Sequence, residues 1–234
     1  MKKSIVILVA LCFILAGMSA VYYYFEQKNK LKIAFLGDSI TWFGWDLPYG
    51  YLHTFIKNLN NEGFEITPYP AGIKGETTKQ MYNRINYDVL RHNPDIMFLM
   101  GGLNDIRVNS GVENFKNTVE QIVETAQNNK IKVILMTMTV YSEDKNAPKN
   151  LEVSKLNNVL RQIAQEKKLQ IIDVNTPLWQ EINKNKKHGC IVTVKDGVHL
   201  NEKGNEILAA TVTEEFLKIH KPYRLLSEYK SSRK

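Results

Sequence analysis

Five residues scattered along the 234-residue chain have the types that acyl transfer needs. Ser39, in Gly37-Asp38-Ser39-Ile40-Thr41, offers a hydroxyl nucleophile. His199 offers a base for its proton, and Asp196 an acceptor to orient the imidazole ring. In Asp196-Gly197-Val198-His199 a turn lets side chains three apart meet, so the carboxylate takes one ring nitrogen and leaves the other for Ser39. Such a site also needs donors aimed at the oxygen that becomes negative. The Ser39 backbone N–H, the Gly75 backbone N–H and the Asn104 side-chain amide are the candidates, and Gly75 allows close approach because it has no side chain. Taken singly, each residue has a plainer reading. A serine after a strand is commonly a helix N-cap, Asp38 suits a turn-fixing acceptor, and Asp105 a helper of Asn104. The combination carries the expectation.

These residues need a scaffold that brings them together. From Leu31 onward, apolar runs bounded by turn residues alternate with segments of helical spacing, the pattern of a parallel sheet covered on both faces. Strands are expected at 31–36, 64–69, 95–100, 131–138 and 169–174. Helices are expected at about 49–61, 77–91, 112–128, 150–167 and 201–219, with a helical turn near 177–183. Residues 42–49, rich in aromatics, read as a loop, and so does a long polar stretch through Tyr141 and Pro148. The expected fold is a three-layer α/β/α sandwich with five parallel strands and right-handed crossovers. A strand order of 2-1-3-4-5 puts Ser39, Gly75 and Asn104 on the carboxyl edge, where open α/β sheets bind ligands.

Composition narrows the function. The formal net charge of +7 lies at the ends: residues 1–30 carry +3, residues 219–234 carry +4, and 31–218 sum to zero. A nucleic-acid partner loses its main support. Two cysteines, Cys12 and Cys190, lack metal-site spacing, and Cys190 reads as a buried or incidental thiol. The start, Met1-Lys2-Lys3 followed by apolar residues and Tyr22-Tyr23-Tyr24-Phe25, reads as a targeting segment. Residues 4–25 are long enough to anchor in a bilayer, with the aromatics at the far interface; cleavage as a signal peptide is the alternative. No cysteine ends the segment where a lipid would attach. Expected domains are therefore an N-terminal signal-anchor (1–30), an exported domain (31–218) and a basic tail (219–234).

The motifs resemble those of the GDSL/SGNH hydrolases, named for a serine, glycine, asparagine and histidine in four separated blocks. Gly37-Asp38-Ser39-Ile40-Thr41 matches the first block, and Gly75-Glu76-Thr77-Thr78 is similar to the close of the second. Gly102-Leu103-Asn104-Asp105 fits the third, and Asp196-Gly197-Val198-His199 the last. The resemblance implies a flavodoxin-like fold and a metal-independent esterase or lipase without a cofactor. In it Ser39 is the nucleophile, His199 the base and Asp196 its orienter, with Ser39, Gly75 and Asn104 forming the oxyanion hole. The second block departs from the pattern: Pro70 stands where many relatives have an asparagine, which bears on the hydrogen bonding around Gly75.

Around this site, Trp42 and Trp45 are candidates for a platform under a sugar ring or acyl chain, and Tyr141 for a lining residue of the same cleft. Tyr51 is expected to pack the first helix. His53 reads as a helix-face residue, and His92, His188 and His220 as surface positions, with His188 a reserve base. Lys184, Lys186 and Lys187 read as a solvated loop. The expected substrate is an acyl ester or lysophospholipid, or an O-acetylated envelope carbohydrate. A non-catalytic envelope binding protein is the rival reading, and oligomeric state is left open.

Overall fold

The computed structural model describes Met18, residues 30–185 and residues 190–220. The expected anchor at 4–25 (apart from Met18), Cys12, Lys186, Lys187, His188 and the tail from residue 221 lie outside the described residues. Among the described residues no helix is long and apolar enough to cross a membrane.

The sheet is built on β1 (Leu31–Gly37) and β3 (Ile96–Met100), runs so apolar that both faces must be covered. With β2 (Ile66–Gly72), β4 (Lys132–Met136) and β5 (Gln170–Ile172) they form one parallel sheet in the order β2-β1-β3-β4-β5, the order that makes β1 and β3 neighbours. Gly37 lies opposite Gly72 on one side and Met100 on the other, so three strands end level. Pro68 and Pro70 sit in β2, an edge strand, where a missing N–H is tolerated. Pro70 pairs with Phe35 in the ladder, so it belongs to the strand and not to the loop that carries Gly75.

Two groups of helices cover the sheet. One contains α1 (Ser39–Asp46), α2 (Tyr51–Asn61), α7 (Asn175–Lys184) and α8 (Glu202–Ile219). The other contains α3 (Thr78–Asp88), α5 (Val112–Asn128) and α6 (Pro148–Glu166). Phe35 and Phe98 stack with centroids 5.3 Å apart, and Phe55 of α2 and Phe216 of α8 close over them. Tyr51 is buried in the same layer, as expected.

Two expectations need correction. Residues 42–46 are not loop: α1 starts at Ser39, because Asp38 caps it and Gly44 lets the Tyr51 ring pack against the helix. A Cβ on Gly44 would lie 2.4 Å from that ring. A short helix, α4 (Leu103–Arg107), follows β3. The stretch after β4 is a loop, as read, and its start is packed inside: Thr137 to Val140 are buried, with the Asn157 side chain accepting from Met138 N at 2.8 Å. His220 is buried against Phe216, centroids 4.4 Å apart, and is no surface residue. Its Nε2 lies 3.2 Å from Lys132 Nζ, so burial and that ammonium push its pKa down to about 4.

Candidate active site

The level strand ends deliver the site. Asp38, buried at the end of β1, accepts from Ile40 N at 2.9 Å and starts α1. The N-cap is thus Asp38, and Ser39 occupies the first helical position. First-turn N–H groups have no intrahelical acceptor and sit at the positive end of the helix dipole, a setting suited to a developing anion. Burial raises the Asp38 carboxyl to about 7, so it is at most partly charged near neutrality.

His199 arrives from 160 residues further on. Its Nε2 lies 2.8 Å from Ser39 Oγ and its Nδ1 2.5 Å from Asp196 Oδ2. With Asp196 ionised, Nδ1 carries the ring proton and Nε2 accepts from the serine hydroxyl; this tautomer follows from the hydrogen-bond network. The other Asp196 oxygen accepts from the backbone N–H of Val198 and His199, each at 2.9 Å. Burial pushes the Asp196 pKa up, but the His199 ring donor and those two N–H groups outweigh it, and the net shift is downward. Gly197 makes the turn with φ +77°, a left-handed conformation that side chains resist.

The 190–201 segment is held at both ends. Asn201 caps α8 and its Nδ2 donates to Cys190, Ile191 and Thr193 carbonyls. Glu143, from the stretch after β4, takes the N–H groups of Ile191, Val192 and Thr193 and the Thr193 hydroxyl, all at 2.8 Å. Burial raises the Glu143 pKa, these donors lower it more, and the carboxyl ends below its usual range.

Gly75 adopts φ +79° and lines the same cleft as Ser39 and Asn104. Asn104 Nδ2 donates to Glu76 O at 3.0 Å, leaving its second amide hydrogen for the cleft. Arg107 donates from Nε to Asn104 Oδ1 at 3.1 Å and from Nη2 to Gly75 O at 3.3 Å. Arg84 ties Glu76 to the carbonyls of Gly37 and Ala71, at the ends of β1 and β2. Asp105 accepts from Thr78 N and Thr78 Oγ1, pinning α3 to α4. Asp38 thus holds backbone, the plainer role expected of it, while Asp105 joins two helices through Thr78.

The cleft has a volume of about 450 Å³ and is lined chiefly by Ser39, Phe43, Leu103, Tyr141, Val198 and His199. Phe43 meets the His199 ring edge-on at 5.0 Å. Tyr141 lines it as expected, but Trp42 and Trp45 do not. The helical phase of α1 sends Phe43 toward the site, while Trp45 stacks on His53 and Trp42 lies under Lys74. Sequence reading missed Phe43, Arg84, Arg107 and Glu143; only Phe43, inside the aromatic cluster, carried any signal. A larger depression of about 780 Å³ borders Glu143, Lys195 and Cys190. Cys190 is exposed and free there, contrary to the buried reading, and no described histidine lines that depression.

Comparison with known proteins follows the same lines. The model of the GDSL-like lipase/acylhydrolase family matches residues 35–207. The chain is 28% identical over 145 residues to the uncharacterized lipoprotein YqeF of Bacillus subtilis (strain 168). That match covers 58% of this chain and spans little more than half, 56%, of that protein. Among solved structures, the acetyl xylan esterase AlAXEase superposes with a TM-score of 0.71 at 28% identity, covering 79% of this chain and 98% of that one. Axe2, an acetylxylan esterase from Geobacillus stearothermophilus, also gives 0.71, at 23% identity over 79% and 93% of the two chains.

Proposed function

The chain belongs to the GDSL-like lipase/acylhydrolase family and is an ester-hydrolysing serine hydrolase, and from that premise we propose that it removes small acyl groups, acetyl foremost, from carbohydrate outside the cytoplasm. The observation that carries this reading is the Ser39–His199–Asp196 hydrogen-bond chain opening into a small cleft beside Gly75 and Asn104. The cleft volume lies low in the range for small-molecule sites and suits a short acyl group better than a long chain. The acetyl xylan esterase AlAXEase supports a sugar acetate as substrate. An extracytoplasmic place is supported by the apolar segment at 4–25, which would tether domain 31–218, and by the lipoprotein relative.

In this reading Ser39 Oγ attacks the acyl carbonyl carbon as its proton passes to His199 Nε2. Asp196 stabilises the imidazolium without taking the proton. The carbonyl oxygen, now negative, receives the Ser39 and Gly75 backbone N–H groups and the free Asn104 amide hydrogen. Collapse breaks the ester bond, and the departing alkoxide takes the proton from His199. Water, deprotonated by His199, then attacks the acyl-Ser39 ester, releasing the carboxylic acid and restoring the hydroxyl.

The test is hydrolysis of para-nitrophenyl esters of increasing chain length, and of acetylated xylan, by wild type and Ser39→Ala, with circular dichroism to show that the variant folds. The expected result is a loss of at least about a thousandfold in kcat with Ser39→Ala, with acetate the best acyl group. No wild-type activity on any ester and no labelling by a fluorophosphonate would refute the assignment and favour a binding protein. A preference for long acyl chains would refute the small-acyl reading.

A further inference from the structure

The geometry points to a substrate whose alcohol part carries an anionic group, a phosphate or a carboxylate, seated between Lys74 and Arg107 at the cleft mouth. This inference rests on the esterase reading of the same site. Domain 31–218 has no net charge, and several of its cations are spent on ion pairs, among them Arg84, Arg161, Lys167, Lys203 and Lys218. Lys74 and Arg107, which line this cleft, are not, nor is Lys149, whose ammonium meets the hydroxyl of the lining residue Tyr141. None of the three has a carboxylate within ion-pair distance among the described residues.

Each of the three is nevertheless held in place. Lys74 Nζ lies 3.5 Å above the Trp42 ring and 4.5 Å from that of Phe43, so the aromatic cluster after the nucleophile serves to station a cation. Arg107 spends Nε and Nη2 on Asn104 and Gly75, while Nη1 makes no hydrogen bond among the described residues. Its planar fork suits the bidentate geometry of phosphate and carboxylate. Lys149 Nζ sits 2.9 Å from the Oη of Tyr141.

The opposing charges are few. Among the described residues Asp196 is the one carboxylate lining the cleft, and it faces the His199 ring and two backbone N–H groups. Asp38, behind the nucleophile, is buried, and Glu76 is engaged by Arg84. A neutral ester would leave Lys74 and Arg107 in the mouth without a counter-charge, whereas an anionic alcohol would pair with both.

The test uses three acetyl esters that differ at one carbon: a 3-O-acetyl methyl glucoside, the corresponding glucuronide and the corresponding 6-phosphate. Para-nitrophenyl acetate reports on the hydrolase itself. At low ionic strength kcat/KM for at least one anionic ester should exceed that for the neutral one by about tenfold, as two cations near one charge imply. The preference should shrink in 0.5 M NaCl, and the anionic-to-neutral ratio should fall toward one in Lys74→Gln. The phosphate and carboxylate arms identify which anion is taken. Failure to cleave either anionic ester faster than the neutral one, or a ratio untouched by Lys74→Gln, overturns the inference while para-nitrophenyl acetate is still cleaved. Absence of Ser39-dependent hydrolysis of every ester, para-nitrophenyl acetate included, overturns the esterase reading as well.

Discussion

Replacing Glu143 tests whether the segment carrying Asp196 and His199 is held from outside. Its Oε1 accepts from Val192 N, Thr193 N and Thr193 Oγ1, and Oε2 from Ile191 N. Val192 and Thr193 are buried, so in Glu143→Ala their N–H groups lose an acceptor where water reaches poorly. At about 1 kcal/mol or more for each donor left unmade, the loss is about 2–4 kcal/mol. Glu143→Gln is the discriminating variant. The amide oxygen keeps the three Oε1 bonds, and only the Ile191 N–H meets an amide nitrogen, so the cost is about 1 kcal/mol. Urea unfolding measures both, and kcat and KM should divide unevenly. A loosened segment misplaces His199 Nε2 relative to Ser39 Oγ, lowering kcat about tenfold or more in Glu143→Ala with little change in KM. Glu143→Gln should recover most of that kcat. Equal effects of the two variants, or full kcat in Glu143→Ala, would refute the clamp.

Two glycines should separate stability from activity. A Cβ on Gly102, at φ +128°, would lie 2.6 Å from Met138 Sδ and 2.9 Å from Phe115 Cε2, so Gly102→Ala should cost about 2–4 kcal/mol in urea unfolding. At Gly75, φ +79°, the nearest atom is 4.0 Å away, so Gly75→Ala should cost only about 1 kcal/mol of backbone strain yet lower kcat, since the N–H it offers the oxyanion would turn. Near-wild-type kcat in Gly75→Ala would remove Gly75 from the oxyanion hole. His220 makes stability depend on pH. Its folded pKa of about 4 lies below the unfolded 6.5, so its contribution is full above about 6.5 and is lost as pH falls toward 4. The loss is at most about 3 kcal/mol, and His220→Gln should flatten this part of the profile in thermal melts at pH 4 to 7. Glu143, with its lowered pKa, adds stability above the usual glutamate range that is lost as pH falls below it.

What could be read in the sequence was what local chemistry dictates. Apolar runs ending in turn residues marked five strands, because a strand covered on both faces leaves little room for polar residues. Asp196 and His199 were legible as a pair because a three-residue turn brings such side chains together whatever the rest of the chain does. Helix α1 was misread because its cue was spread between an N-cap at Asp38 and a glycine at 44 whose purpose is the Tyr51 ring, a contact made through space.

The residues that hold the site were decided by tertiary structure alone. Glu143 grips a segment 48 to 50 residues away, and Arg84 ties the ends of two strands that pair only once the sheet forms. Glu143 has no local partner that would mark it in the sequence, and the pairing of Arg84 with Asp88 one helical turn on is an ordinary helix-surface pair that says nothing of strand ends. The choice of Phe43 over Trp42 and Trp45 as a cleft wall followed from the rotation of α1, fixed when Ile40, Thr41 and Gly44 turned inward. Types and spacing in the chain named the candidate groups; their distances, their charges and the cations around them came from packing between segments that sequence order keeps apart.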